Sequence, residues 1–395
     1  MKSHEGLRRA KVGVTAAFLG HAVVFSSWAA HIPRVKAELG LSDAALGTAL
    51  FGAPLGSVAA TVLCHWALPR WGSRRLVHVT LAGYAAAGAT VGLAGSAAAL
   101  FGTLALWGFF QGGLDVAMNT QAAAVERLAR APIMARFHGM WSVGALVGAM
   151  IGAACVAANV RLAPQLAVLG IVVVIAGEAL TRHLIADRAA AGPKSVAGQR
   201  SWMTPAVAIL AAVAFASFLC EGAATDWSAN YLRNVVGAGP GVSALSYAAY
   251  TLTMVVTRLG AMRLHVRVPS RRLLPALALL AAAGMSVALA TGGPVAAVLG
   301  FASLGAGVAL LVPTAFSAAY SASGAGSAIA IVAATGWIGY LLGPPLIGHL
   351  AGLAGLSAAL VTIPVMMTAV AIAIGCSPAF AHADEFHRSV GAPTG

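Results

Sequence analysis

Charge is what this sequence has least of. Only 9% of its 395 residues are Asp, Glu, Lys or Arg, against about 25% in soluble domains. So few charges cannot cover a water-facing surface, which excludes an ordinary soluble domain. Cysteine is scarce as well. Cys64, Cys155, Cys220 and Cys376 all fall in or beside apolar segments, with no metal-ligand spacing and no disulfide frame. Neither His-Glu-x-x-His nor Gly-x-Ser-x-Gly occurs, so the sequence offers no zinc-hydrolase helix and no nucleophile elbow. No catalytic residue, metal ligand or cofactor is expected. Acidic residues number 11 against 24 basic ones, giving a net charge of +13 and a pI near 10.5. In a soluble protein that balance would point to nucleic acid. Here the basic residues sit in alternate short loops, which is an orientation signal and not a ligand signal. No cleavable leader is expected here, because the apolar run from Val12 to Ile32 is too long for a signal's apolar region and reads as a first membrane span.

What the sequence does have is apolar length. It is 59% hydrophobic with a mean hydropathy of +0.87. Its hydrophobic segments reach about 20 residues or more, the length of a bilayer-crossing helix and not of a barrel strand. Twelve spans are predicted, near residues 11–32, 42–68, 76–95, 97–127, 137–158, 163–185, 205–232, 241–262, 273–292, 295–320, 324–351 and 356–378. Residues 186–204 read as a polar linker and 381–395 as a disordered tail. This gives an N-terminal bundle over 1–185 and a C-terminal bundle over 205–380. With twelve spans, all Lys and Arg except Arg34, Lys36, Arg161 and Arg233 fall on the side of the two termini. That side is therefore expected to be cytoplasmic.

The two halves repeat. Trp28-Ala-Ala-His-Ile-Pro-Arg34 in span 1 matches Trp227-Ser-Ala-Asn-Tyr-Leu-Arg233 in span 7, and Ser73-Arg-Arg-Leu76 matches Ser270-Arg-Arg-Leu273. Both offsets are close to half the chain. A repeat of six spans implies two bundles of the same topology with a binding site near the midplane between them.

Span 4 carries the sharpest polar pattern. Trp107, Gln111, Asp115 and Asn119 lie four apart and share one drifting helix face. A carboxylate at membrane depth costs at least about 2.5–3.5 kcal/mol, so it normally faces protein or water and marks a pathway. Glu221 in span 7 is a second such carboxylate. Asp226, five residues on, is expected to cap or pair nearer the surface. His21 is a mid-span candidate for a solute or proton role. Glu178 and Arg182, four apart, read as an ion pair on one helix. Gly144, Gly148 and Gly152 predict close helix approach in span 5, and Gly343-Pro344-Pro345 a break or hinge in span 11. Trp28 and Trp227 fit an outer aromatic belt, Trp66 and Trp71 an inner one. Trp141 and Trp337 lie deeper.

The six-plus-six organisation, the central linker and the basic turns after spans 2 and 8 resemble the major facilitator superfamily of secondary transporters. Arg70, Gly72, Arg74 and Arg75 match the second part of the family's turn signature. The signature's Asp is replaced by Pro69 and its first Gly by His65. Leu114–Asn119, Phe137–Ser142 and Glu221–Ser228 are similar to the fucose-permease-like branch and to YbjJ-like bacterial inner-membrane members. The resemblance implies an all-α membrane protein, twelve helices in two pseudo-symmetric bundles, with spans 1, 4, 5 and 7 supplying most polar contacts. It implies proton coupling at Asp115 and solute contacts at His138 and Trp141. The residues themselves add Glu221 as the next coupling carboxylate and His21, Trp107, Gln111 and Asn119 as expected solute contacts. Arg70, Arg74, Arg75, Arg258, Arg271 and Arg272 are expected to gate the inner side by capping helix ends. The partners are then a small polar solute (a sugar or related metabolite among the candidates), protons and the lipid bilayer. The expected state is a monomer in the inner membrane with both termini cytoplasmic. A proton-driven exporter of drugs or metabolites is the alternative, and a non-transporting sensor or scaffold a more distant one.

Overall fold

The computed structural model describes residues 4–130, 133–186, 204–323 and 326–380, and all regular structure among them is helical. Most of the expected linker and all of the expected tail lie outside the described residues. The chain divides into two compact units, Met1–Ala197 and Gly198–Gly395.

In the first unit, span 1 is α1 (His4–Trp28), continued by a 3-10 turn at Ala29–His31 into α2 (Ile32–Glu38). Span 2 opens with α3 (Asp43–Leu50), whose first turn is capped by Ser42: its Oγ accepts from the Ala45 N–H at 3.2 Å. Lys36 Nζ meets Asp43 Oδ1 at 2.5 Å beside that cap. The helix α4 (Gly52–Val91) holds the rest of span 2 and all of span 3, with Gly72 between them at φ 73° and ψ 157°. That backbone region is essentially reserved for glycine. Then come α5 (Ala97–Ala129), α6 (Met134–Ala157) and α7 (Leu162–Thr181), which are spans 4, 5 and 6.

The second unit begins with α8 (Pro205–Asn234), span 7, and α9 (Pro240–Leu259), span 8, extended by the short α10 (Ala261–Arg267). Span 9 is α11 (Ser270–Thr291). Span 10 is broken into α12 (Pro294–Val308) and α13 (Leu311–Ser323), span 11 is α14 (Gly326–Ala354), and span 12 is α15 (Leu356–Leu360) plus α16 (Thr362–Cys376). Among the described residues ten helical stretches are long and apolar enough to cross a membrane by length and composition, one of them holding both span 2 and span 3. The more polar α9, with Ser243, Ser246, Tyr247, Tyr250, Thr251 and Thr253, completes the twelve.

The same helix pairs meet in each unit. Span 1 packs on span 5 as span 7 packs on span 11, and α5 lies on α4 as α12 lies on α9 and α11. Small residues make this possible, since helices in lipid are held by close packing and not by exclusion of water. A Cβ added at Gly144, Gly148 or Gly152 would come within 2.7, 2.3 and 2.5 Å of the carbonyl oxygens of Leu19, Val23 and Ser27. The predicted ladder therefore seats span 5 directly on the backbone of span 1. In the second unit Gly339 plays this part, its added Cβ meeting the Phe215 carbonyl at 2.3 Å.

Several expectations are corrected. Gly343-Pro344-Pro345 does not break span 11, because α14 runs through both prolines. The carbonyls that the two prolines leave without an i+4 N–H are those of Tyr340 and Leu341, and a spanning helix keeps its proline when such freed backbone groups find other partners. Trp28 and Trp227 do not form an outer belt: both are buried inside their own units, Trp28 edge-on to Trp107 at 6.5 Å. Trp66 and Trp71 are exposed. Glu178 does not pair with Arg182. It meets the His78 ring across spans 3 and 6, while Arg182 Nε donates to His183 Nε2 at 3.2 Å.

Two substitutions test this packing by the melting temperature of purified protein in detergent. Gly148→Leu drives a side chain into an unyielding carbonyl and should destabilise by about 1–3 kcal/mol, the usual overpacking penalty. Gly102→Ala, where an added Cβ meets nothing within 4 Å, should be neutral or stabilise by roughly 0.5–1 kcal/mol. At the turn, Gly72→Ala should cost about 1–3 kcal/mol through backbone strain alone. An unchanged melting temperature for Gly72→Ala would mean the turn does not hold this conformation.

Candidate functional site

The candidate residues of the first unit fall into two connected groups. The first is on α5. Asn119 Nδ2 donates to the Asp115 carbonyl at 2.9 Å and to Asp115 Oδ1 at 3.2 Å. The amide thus reaches back one turn and holds the carboxylate against its own helix. Gln111, Asp115 and Asn119 are all half-buried, so this stripe is open on one side.

The second group is aromatic and lies deeper. Trp107 is fully buried and stacks on Tyr84 of span 3 at 5.4 Å, with Phe25 of span 1 at 6.3 Å. Its ring faces are therefore occupied by the unit itself. It belongs to the wall behind the stripe, and the expected stacking of Trp107 on a solute is corrected. The cause is the drift of a 3.6-residue helix, which over eight residues turns Trp107 inward from the face that Asp115 occupies. His21 is buried too. Its Nδ1 accepts from the Trp141 indole N–H at 2.9 Å, and Tyr84 Oη donates to its carbonyl at 3.2 Å. An indole N–H can only donate, so Nδ1 carries no proton and Nε2 is left as the donor of a neutral ring. His21 Nε2 and Trp107 Nε1 are buried without a hydrogen-bond partner among the described residues. His138 is exposed and sits edge-on to Phe18 at 5.2 Å, and Trp141 is half-buried.

In the second unit the structure gathers residues the sequence kept apart. Glu221 and Asp226 of α8 both lie within electrostatic reach of Tyr340 from α14, and Thr225 is hydrogen-bonded to that tyrosine. Tyr247 and Tyr250 of α9 stack at 6.0 Å, and Tyr250 is in electrostatic reach of Glu221 and Arg258. Arg258 reaches Glu221 electrostatically without a direct ion pair, and its Nε donates to the Ala309 carbonyl at 3.2 Å. Ala309 is at the break in span 10. Arg258 thus serves the interior of the second unit, unlike the other arginines grouped with it.

Those others lie at helix ends. Arg74 Nη2 donates to the Arg182 carbonyl at 2.7 Å, at the C-terminus of α7, which suits a cation. Arg70 Nη1 donates to the Trp66 carbonyl at 2.8 Å with its guanidinium 6.0 Å from the Trp66 ring centroid. Arg75, Arg271 and Arg272 are exposed. Gln121 went unnoticed in the sequence. It is fully buried, and its amide joins Ser73 Oγ at 2.8 Å, the Ile185 carbonyl at 2.8 Å and the Ile185 N–H at 3.0 Å. The tyrosines were missed as well, although Tyr247 and Tyr250 fall in a Ser/Thr-rich stretch of span 8. No group of three or more His, Cys, Asp or Glu among the described residues could hold a metal ion.

Comparison with known proteins agrees with this architecture. The family model described as Major Facilitator Superfamily matches residues 13–326. An uncharacterized MFS-type transporter of Yersinia pestis is 31% identical over 367 residues, 91% of this chain and 94% of that protein. Membrane protein MosC of Rhizobium meliloti is 29% identical over 390 residues, 96% and 92% of the two chains. Among solved structures, the nucleoside transporter NupG superposes with a TM-score of 0.71 at 12% identity, over 92% of this chain and 98% of that one. A bacterial homolog of the human lysosomal transporter Spinster, inward-facing and unoccupied, gives 0.66 at 15% identity over 98% of each chain. These two likenesses concern the fold. The protein is a multi-pass membrane transporter and not an enzyme, and its chain belongs to the Major Facilitator Superfamily.

Proposed function

We propose that this transporter carries a small polar solute, of the size and polarity of a sugar or related metabolite, coupled to protons through Asp115. On this reading it works by alternating access as a monomer in the inner membrane, with both termini cytoplasmic. The supporting observation is the Asp115–Asn119 pair. A coupling carboxylate must be tolerated both charged and neutral. A side-chain amide serves both states, because its NH₂ donates to a carboxylate and its carbonyl accepts from a carboxylic acid. Glu221 differs in its surroundings. Its charged neighbour is Arg258, which has donors only and serves the carboxylate form alone. Asp115 is therefore the first candidate for coupling, and Glu221 the second.

Gln111 and Asn119, half-buried on the same stripe, are positioned to hydrogen-bond a solute beside the carboxylate. His21 supports that stripe from behind, and Trp141 fixes the ring of His21. Coupling follows if the solute binds the protonated carrier more tightly, since only differential affinity shifts a conformational equilibrium. The arginines at the turns after spans 2 and 8 are assigned to closing the inner side.

The test uses proteoliposomes and a solute identified by thermal-shift screening. Asp115→Asn mimics the protonated side chain, so counterflow exchange should persist while pH-gradient-driven accumulation falls to the gradient-free equilibrium level. Continued uphill accumulation by Asp115→Asn would remove Asp115 from the coupling role. Glu221→Gln should keep accumulation and weaken solute affinity by roughly tenfold, on the scale of one charge-assisted hydrogen bond. Loss of accumulation in Glu221→Gln alone would reverse the two assignments. Export of apolar drugs, seen as lowered susceptibility on expression with no polar solute bound, would favour the exporter reading.

A further inference from the structure

The first unit contains a cavity to which the transport reading assigns no ligand. It lies at the end where α1 starts and where α5 and α7 finish, with a volume of about 460 Å³. Ala10, Leu128 and Leu184 give it an apolar wall, and Arg74, Arg182 and His183 line it with polar groups. Ala10 and Leu184 are buried, whereas Leu128 and Arg182 are exposed. The wall therefore runs from the interior of the unit to its surface.

The electrostatics of this cavity are one-sided. Among the described residues no carboxylate lines it. Three described acidic side chains near this end are engaged elsewhere: Glu5 pairs with Arg9, Glu126 accepts from the Ile133 and Met134 N–H groups, and Glu178 meets His78. Arg74 commits one Nη to the Arg182 carbonyl, and Arg182 commits its Nε to His183 Nε2. Neither arginine has an ion-pair partner among the described residues. Because His183 Nε2 accepts a hydrogen bond, its Nδ1 carries the proton and is a further donor. Guanidinium groups with unspent N–H donors match phosphate oxygens in a planar, two-pronged way.

An apolar wall beside such a rim fits a molecule that is anionic at one end and hydrocarbon at the other. We propose that this cavity holds the phosphate of an anionic phospholipid, with the start of an acyl chain along Ala10, Leu184 and Leu128. Basic pockets between spanning helices at the cytoplasmic surface take lipid head groups of this kind. That the leaflet is the inner one rests on the orientation proposed above; the binding itself does not. A bound lipid would tie the start of span 1, the turn after span 2 and the end of span 6 together. The first unit would then be more stable with it than without.

The experiment is a thermal-shift titration of the full-length purified protein in detergent, with phosphatidylglycerol, phosphatidylcholine or inorganic phosphate. A ligand that binds the folded state raises the melting temperature with concentration. Phosphatidylglycerol should raise it, and neither phosphatidylcholine nor inorganic phosphate should do so. Arg182→Gln should lose most of that shift. Ala10→Phe, which fills the cavity without changing charge, should lose it too. Arg267→Gln, an exposed cation of the second unit, should keep it. If Ala10→Phe does not fold, the double variant Arg182→Gln/His183→Gln carries the test against Arg267→Gln. An equal loss in every arginine variant would mean diffuse charge attraction and overturn the site. A full shift from inorganic phosphate alone would make it a phosphate site and overturn the lipid. Uptake measurements are not involved, so the outcome stands apart from the coupling role of Asp115.

Discussion

A helix inside a bilayer has no water to bond with, so each backbone N–H and C=O left open by a break or an end must be met by the protein. Much of the polar side-chain chemistry in this chain answers that requirement. Ser42, Ser96 and Thr204 accept from first-turn N–H groups of α3, α5 and α8. Glu126 takes two N–H groups at the start of α6. Arg74 closes the end of α7, and Arg258 meets the carbonyl at the break in span 10. With only 9% of residues charged, a charge spent on a helix end is not available for a solute. Arg258 shows how the two uses meet: the same side chain holds a broken helix and sets the field around Glu221.

The second constraint is the lack of a hydrophobic driving force between helices. Lipid tails are as apolar as leucine, so association depends on how closely backbones approach. The glycine rows of span 5 and span 11 give that closeness, each against the first span of its own unit. Helices seated on backbone have few alternative arrangements, because carbonyl oxygens do not yield as side chains do.

Much of this was legible in the sequence, for identifiable reasons. Apolar length set the spans, and the repeated Trp28–Arg34 and Trp227–Arg233 segments pointed to two similar halves. The Asp115–Asn119 contact is an i, i+4 pair on one helix, which spacing alone can find. What failed were the judgements about which side chain of another helix a given residue meets. Glu178 has Arg182 one turn away, yet its partner is His78, a hundred residues distant in the chain. Periodicity said that Trp107 lay near the face of Asp115 but not that Tyr84 and Phe25 already covered its ring. Trp28 and Trp227 have the sequence position of interface anchors, and only packing shows them turned inward. Arg258 looked like one more basic residue near a turn because the break in span 10 leaves no signal stronger than Leu310 and Leu311.

The two carboxylate environments bear on how a transporter could use one charge for coupling and another for recognition. A group that gives up and regains a proton in each cycle must not depend on a partner that tolerates one state only. Asn119, four residues along the same helix, stays beside Asp115 whatever the rest of the unit does, and its amide can present either end. Arg258 is anchored instead to the backbone of span 10, so its charge reaches Glu221 only while that broken helix keeps its place relative to α9. Coupling placed on an intrahelical pair is insensitive to how helices shift. Recognition placed on a pair spanning three helices is sensitive to it, and a solute that orders those helices would strengthen its own site. Under the coupling role proposed for Asp115, this division would put the conformation-sensitive chemistry in the second unit and the proton chemistry in the first.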